Sequence, residues 1–423
     1  MTLTTPWQLA EAATLRPEAF GGIAFHRRRG VTIEVDAAAY GFLCSCQEPR
    51  PLPSPGDPAA RLVPQLVRLG FLEPAGAVRP AATFTTAPWP GDGYTLSAPE
   101  TVHLALTARC NRSCPGCYVS PTTGPELTPA EWCELIVQWS RLGVFQLAIG
   151  GGEPLLYPGL YEVLECVRQQ GLVAGLTTNG ALLNAETIHR LEQAGLARIN
   201  VSWNGPDENQ GHDAAERALG RLVVSSLQVG VNLLATPAVL SDLPHTLAHL
   251  RQLGVRRVTV LRPKPPAAGN TAGASWYAVN RLGRTDLARL RKILAAWRTR
   301  LELEIDSALV GLLAEAPAAR LRWRGIHGCA AGRRICTVWS DGRVIPCSFL
   351  PDLVAGNVRA TPFAELWPRG AGWESLRDPG THLQGGCREC AVAALCGGAR
   401  CISRHEQGEL LAGDIECPSA AYF

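Results

Sequence analysis

No segment of this 423-residue chain comes near the roughly 18 uninterrupted apolar residues of a membrane-spanning helix. Its start, Met1-Thr2-Leu3-Thr4-Thr5-Pro6, has neither the cationic region nor the apolar run of a secretory signal. A soluble, cytoplasmic protein is expected. Excess charge is also missing: a net +3 is too small to point to nucleic acid or another polyanion. So is a full set of cysteine pairs, because the count of 15 is odd. In a large chain without an export signal, that argues against structural disulfides and for metal ligation.

The cysteines that are present bunch. Three lie between Cys110 and Cys117, and eight between Cys329 and Cys417. Scattered core thiols would not group this way. Cys44, Cys46, Cys133 and Cys166 fall outside both groups and read as buried, inert thiols. The apolar fraction, 46%, is ordinary for a globular protein, and the length predicts two or three domains.

Three segments separate along the chain. Residues 1–85 carry two strand-like runs, Gly22 to His26 and Val31 to Val35, joined by the basic turn Arg27 to Gly30. Asp36 can cap a helix through Ala37 to Cys46. After a Pro-rich loop, Ala59 to Leu69 reads as an amphipathic helix stopped by Gly70, with Phe71-Leu72 beyond. Residues 86–99 look like a linker. From Thr101 to about Asp306 strand and helix alternate. The strands are Val102 to Thr107, Gln146 to Ile149, Val173 to Thr177, Arg198 to Ser202, Val231 to Ala235 and Arg257 to Leu261. Helices such as Ala130 to Leu142, Leu160 to Gln170 and Ala185 to Ala194 lie between them. Such alternation predicts βαβ units, hence a parallel sheet that can curl into a barrel. From about Gly325 onward the chain is Cys- and Gly-rich with little periodicity, and would need metal to hold its shape.

Cys110-Asn-Arg-Ser-Cys114-Pro-Gly-Cys117 follows the first barrel strand, and three thiolates in so short a loop can converge on one metal centre. A [4Fe–4S] cluster normally takes four cysteines, so three would leave one iron open for a reactant. Zinc usually wants four ligands. Both readings stand on this loop alone. The second strand ends in Gly150-Gly151-Gly152-Glu153-Pro154, the third in Thr177-Thr178-Asn179-Gly180, and the fourth in Val201-Ser202-Trp203-Asn204-Gly205. Each could be a simple capping turn. Their order and spacing together are hard to obtain by chance, and strand ends are where parallel α/β folds place ligands.

With these motifs in hand, residues 100–306 resemble the radical S-adenosylmethionine (SAM) superfamily, whose CxxxCxxC motif is met by Cys110, Cys114 and Cys117, with Tyr118 as the aromatic that follows. The resemblance implies an α/β fold built on a partial (β/α)6 TIM-type barrel over residues 100–320. It implies SAM chelated to the open iron, with Gly151, Gly152 and Glu153 holding its amino group. Ser202 would meet the ribose, Arg217 the carboxylate, and Asn179 would shape the pocket. The implied chemistry is reductive cleavage of SAM to a 5′-deoxyadenosyl radical, which takes a hydrogen atom from an unreactive carbon. No catalytic acid or base is assigned.

The run Cys387 to Cys401 reads C-x2-C-x5-C-x4-C, and Gly342 stands five residues before Cys347. Residues 321–423 thereby resemble the SPASM domain of radical SAM maturases, with one departure: four residues, not three, separate Cys396 from Cys401. The resemblance implies two auxiliary [4Fe–4S] clusters, three in all. Cys329, Cys336, Cys347 and Cys401 would bind the first, and Cys387, Cys390, Cys396 and Cys417 the second. Residues 1–85 resemble the winged-helix-like RiPP recognition element, related to the chaperone of pyrroloquinoline quinone biosynthesis, in which a leader peptide adds as an extra strand beside a helix. A plain packing or dimerisation domain is the alternative. Together these imply a maturase of a ribosomally made precursor peptide, supplied with electrons by ferredoxin or flavodoxin, without nucleic-acid or membrane partners. Haem-modifying SPASM enzymes, sulfatase-type maturases and a zinc scaffold are the rivals. Sulfatase maturases resemble the chain but carry a catalytic Asp where Ser348 stands.

Overall fold

The computed structural model describes residues 6–54, 56–76, 95–119, 124–204, 212–266, 270–378, 382–417 and 419. The expected linker therefore lies largely outside the described residues, as does Gly205. The amino-terminal part runs β1 (Trp7–Leu9), β2 (Ala13–Glu18), β3 (Gly21–His26), β4 (Val31–Asp36), α1 (Ala37–Ser45), α2 (Val63–Leu69) and β5 (Leu72–Pro74). β2, β3 and β4 form an antiparallel meander, and β1 pairs with β5. The Asp36 carboxylate accepts from the Ala39 N–H at 2.8 Å and starts α1, while Gly70, at φ 83°, ends α2. β1, β2 and β5 are absent from the sequence pattern. β2 contains Arg16 and Pro17 and is held by tertiary contacts that no local propensity shows.

The central segment contributes β6 (Thr101–Thr107), α3 (Pro129–Leu142), β7 (Gln146–Gly151), α4 (Leu160–Gln169), β8 (Val173–Thr178), α5 (Ala185–Gln193), β9 (Arg198–Trp203), α6 (His212–Leu222), β10 (Gln228–Leu234), β11 (Arg257–Leu261) and β12 (Glu302–Ile305). Then come β13 (Ile335–Trp339), β14 (Arg343–Ile345) and β15 (Gly356–Asn357). One sheet runs in the order β12-β11-β10-β9-β8-β7-β6-β13-β14-β15, parallel from β12 through β13. The six expected strands are present in the expected order. Two corrections follow. β12 adds a seventh parallel strand at one edge, and the carboxyl-terminal segment, expected to be irregular, sends β13 to pair with β6 at the other.

Strand pleating sorts the side chains. Val102, Leu104, Leu147, Ile149, Ile199, Val201, Val231 and Leu233 join one core with Trp132 and Trp139 of α3. Each fully buried aliphatic residue here stabilises the fold by about 1.5–3 kcal/mol. Residues on the inner face, turned away from the helices, are more polar. The amino-terminal part is fixed to this body: Ile23 and Phe25 pack on Phe145 and Val173, and the Phe25 and Phe145 rings lie 5.1 Å apart. Arg16 is wholly buried and donates to Glu18 at 2.8 Å, to the Pro99 carbonyl at 3.2 Å and to the Gly143 carbonyl at 2.7 Å. Glu34 receives Arg334, Arg322 and His327, and Arg334 also reaches Glu100 at 3.0 Å. Burial alone would raise the Glu34 carboxyl, but the Arg334 guanidinium, with His327 and Arg322 hydrogen-bonded to the carboxylate, holds it well below the usual carboxylate range. Among the described residues no helix is long and apolar enough to cross a membrane.

Candidate active site

The carboxyl ends of β6, β7 and β8 meet at one place, as a parallel sheet requires. The loop after β6 and the loop after β7 are stitched by backbone bonds, Gly152 N–H to the Thr107 carbonyl at 2.7 Å and Glu153 N–H to the Arg109 carbonyl at 2.8 Å. This is what the glycines are for. A Cβ on Gly151, which sits at φ 109°, would lie 2.5 Å from the Thr107 oxygen, and one on Gly152 would strike the Arg109 oxygen. The sequence reading expects close approach of a ligand here, and the structure shows close approach of two chain segments at the same glycines, which leaves that expectation standing.

Glu153 is 1% exposed. Its carboxylate accepts from Thr178 Oγ1 at 2.8 Å and from the Asn179 N–H at 2.9 Å. Burial raises its pKa despite these bonds. The Asn179 amide donates to Asn111 Oδ1 at 2.8 Å, tying the third strand end to the cysteine loop. The structure thus brings Gly151, Gly152, Glu153 and Asn179 to Cys110, Cys114 and Cys117. Cys110 is exposed, the other two are half-buried, and burial with the neighbouring thiols raises Cys114. Three soft ligands with one side open suit a cluster better than a closed zinc site. Asn270 donates to the Pro115 carbonyl at 3.3 Å and the Trp276 ring packs on Gly116. Neither residue carries a sequence signal.

Ser202 lies on the inner face of β9, paired in register with Asn232. Asn200 donates to Asn232 at 3.1 Å and Asn232 to Thr177 at 3.3 Å, a polar ladder across three strands. Polar residues at alternate positions of otherwise apolar strands are the signal that could have revealed it. Arg217 is not brought to this group. It sits on the exposed side of α6, opposite Ala215, Ala218 and Leu219, which face the core. The cation near Glu153 is Arg112, inside the cysteine loop.

Ser348 bonds His103 Nδ1 at 2.6 Å and Thr337 Oγ1 at 3.1 Å. His103 pairs in register with Thr337, stands beside Gly150 and Tyr118, and is held neutral by burial, its pKa pushed down to about 4. It was invisible as a lone histidine in a strand.

The carboxyl-terminal cysteines fall into a set of three and a set of four. Cys329, Cys347 and Cys401 gather round Ala331, Leu350 and Leu376, and Lys264, bonded to Asp306, supplies a cation beside them. Burial pushes Cys347 up to about 11, with Cys329 adding to it. Cys336 is a correction. It is fully buried in the main core, paired with Val102 on the face opposite Thr337, and burial alone raises its thiol. The pleat turns it away from Cys347, so it does not join the set. Cys387, Cys390, Cys396 and Cys417 line one cavity with Leu309 and Leu312. Burial first, then Cys417, Cys387 and Cys390, push Cys396 up to about 12. Burial keeps Cys396 and Cys417 protonated, and they would have to lose their protons to bind a metal. The extra residue between Cys396 and Cys401 is absorbed by Gly397 and Gly398, both left-handed at φ 60° and 67°.

The model of the radical SAM superfamily matches residues 104–223, and the iron–sulfur cluster-binding SPASM model matches residues 329–391. The chain carries a radical SAM domain followed by a SPASM domain. An AdoMet-dependent heme synthase of Methanosarcina barkeri is 27% identical over 347 residues, spanning 76% of this chain and 97% of its own. A PqqA peptide cyclase of Gluconobacter oxydans is 28% identical over 340 residues, spanning 72% and 90%. Among solved structures, Streptococcus suis SuiB bound to the precursor peptide SuiA has a TM-score of 0.71 at 17% identity, covering 97% of this chain and 99% of that one. Native anSMEcpe with bound AdoMet has a TM-score of 0.60 at 16% identity and covers 76% of this chain. The SuiB likeness thus extends over the amino-terminal part of the fold; the anSMEcpe likeness leaves about a quarter of the chain unmatched.

Proposed function

We propose that this chain is a cytoplasmic radical SAM enzyme that modifies a ribosomally made precursor peptide, with residues 1–85 as a leader-binding RiPP recognition element. Cys110, Cys114 and Cys117 would hold the first [4Fe–4S] cluster, with Gly151, Gly152, Glu153, Asn179 and Ser202 around SAM. Cys329, Cys347 and Cys401 would hold a second cluster, and Cys387, Cys390, Cys396 and Cys417 a third. When bound, these groups supply one-electron cleavage of SAM and removal of a hydrogen atom; ferredoxin or flavodoxin would be the reductant. The protein's own part is positioning. The stitched loops fix the cysteine loop against Glu153, the Thr177–Asn232–Asn200 ladder orients what enters the sheet's inner face, and the neutral His103 with Ser348 offers an uncharged hydrogen-bonding pair.

The observation that favours a peptide over a porphyrin is the amino-terminal groove. It runs beside β5 and is lined by Trp7, His26, Arg28, Arg29, Val67 and Leu72. β5 is paired only with β1 among the described residues, so its outer edge can take an added strand. The outer edge of β4 cannot, since Gly325 lies against the Thr32 carbonyl there. The test uses the enzyme, reconstituted anaerobically, with peptides encoded beside its gene. Changing Cys110, Cys114 and Cys117 together to Ala should abolish release of 5′-deoxyadenosine. Arg28→Glu with Arg29→Glu should keep that release but lower peptide product about tenfold or more. Full peptide turnover by the double variant would sink the leader-docking reading.

A further inference from the structure

Arg400 is 1% exposed, yet it makes no ion pair among the described residues. Its Nη1 donates to the Leu410 carbonyl at 2.8 Å and the Ala412 carbonyl at 3.0 Å, while Nε and Nη2 have no acceptor. Neither carboxylate of this region pairs with Arg400: Asp414 is held by Arg262, and Glu406 is held through Oε1 by Tyr277 and Arg281 while its Oε2 is buried without a partner. A buried guanidinium without a counter-charge is costly, and arginine cannot escape by losing its proton. Arg400 lies between the two cysteine sets: Leu410 packs with Cys329, Cys347 and Cys401, while the free end of the guanidinium turns to the other set. The Nη2 end packs against Gly398, which lines the four-cysteine cavity, and the carbonyls it holds belong to the loop that leads to Cys417. That same loop gives the Asp414 N–H to Cys387 Sγ at 3.5 Å.

We infer that Arg400 is the counter-charge of the cluster held by Cys387, Cys390, Cys396 and Cys417, donating from its free Nε and Nη2 toward that site and raising its reduction potential. This rests on the cavity holding an iron–sulfur cluster. Such a cluster is net negative, because four thiolates outweigh the positive core, and hydrogen bonds toward its sulfurs favour the more negative, reduced state. The insertion between Cys396 and Cys401 then has a use. Two left-handed glycines without side chains leave room for the guanidinium, which a Cβ on Gly398 would strike.

Wild type, Arg400→Gln and Arg400→Lys would be compared as metal-free chains and after anaerobic reconstitution with iron and sulfide. Melting, iron content and EPR-monitored reduction are the readouts. Metal-free Arg400→Gln should melt no lower than wild type, since it sheds an uncompensated charge. Reconstituted Arg400→Gln should lose part of the cluster-dependent rise in melting temperature. One of its clusters should become harder to reduce by about tenfold, ~59 mV for a one-electron couple. Arg400→Lys should lie near wild type on both counts. If the metal-free Gln variant is insoluble or melts well below wild type, Arg400 is merely structural and the inference fails. Unchanged potentials in an iron-loaded Gln variant overturn it equally. Should Cys387→Ala with Cys390→Ala leave wild-type iron content intact, the cluster reading of the cavity is wrong, and the role of Arg400 falls with it.

Discussion

Replacing Cys336 separates the spacing of the cysteines from their placement in space. Its thiol is fully buried and packed among the side chains that include Val102 and Val338, on the sheet face away from Cys347. Cys336→Ala deletes one buried heavy atom and leaves a small void, a cost of about 1 kcal/mol. Cys336→Ser is worse although larger, because a hydroxyl is buried there without a partner, at about 1–3 kcal/mol. Neither change should touch metal content. Cys347→Ala and Cys401→Ala should each cost close to one cluster, about four irons per chain, with little effect on the metal-free fold. Iron and sulfide per chain after anaerobic reconstitution, beside urea unfolding of the metal-free protein, give both numbers. A Cys336→Ala protein that loses as much iron as Cys347→Ala would refute the assignment made from the pleat.

Two further outcomes are expected. Glu34→Ala strips Arg334, Arg322 and His327 of a shared carboxylate and should destabilise the metal-free protein by about 3–5 kcal/mol. Glu315→Ala, whose pair with Arg291 is exposed, should cost under about 1 kcal/mol, and equal effects would show that the amino-terminal part is not welded on as described. Because the folded-state pKa of Glu34 is depressed, its contribution is present above the ordinary carboxylate value and is lost as the pH falls below it. His103 acts at higher pH. The unfolded chain takes up its proton near 6.5 and the folded chain only near 4, so stability falls on acidification through that window. His103→Gln should flatten this part of the curve of unfolding free energy against pH, and an unaltered slope would count against a neutral, buried imidazole.

The strand order from β6 to β11 and the motif at each strand end were legible because each depends on a short stretch of chain: a run of apolar residues, then Gly150 to Pro154 or Thr177 to Gly180. What was hidden depends on distant partners. β2 contains Arg16, tolerable in a buried strand because Glu18 pairs with it and the distant Pro99 and Gly143 carbonyls accept from it. β13 reads as the flank of a cysteine motif, and only its pairing with β6 shows that Cys336 faces the core. Arg217 suits its assigned role by position after β9, but the period of α6 turns it outward. His103 and Ser348 lie far apart in sequence, so their contact could not be seen before the sheet was assembled.

The junction of β13 with β6 also bears on how the molecule is made. β6 is the first strand of the large sheet to leave the ribosome, but its second neighbour arrives only when nearly all the rest has been synthesised. Until then one flank of β6 offers its peptide groups to any passing strand, an invitation to aggregation. Expression of the barrel without its cysteine-rich tail should therefore yield sticky protein even where every barrel residue is intact, and chaperones that shelter strand edges should matter most late in translation.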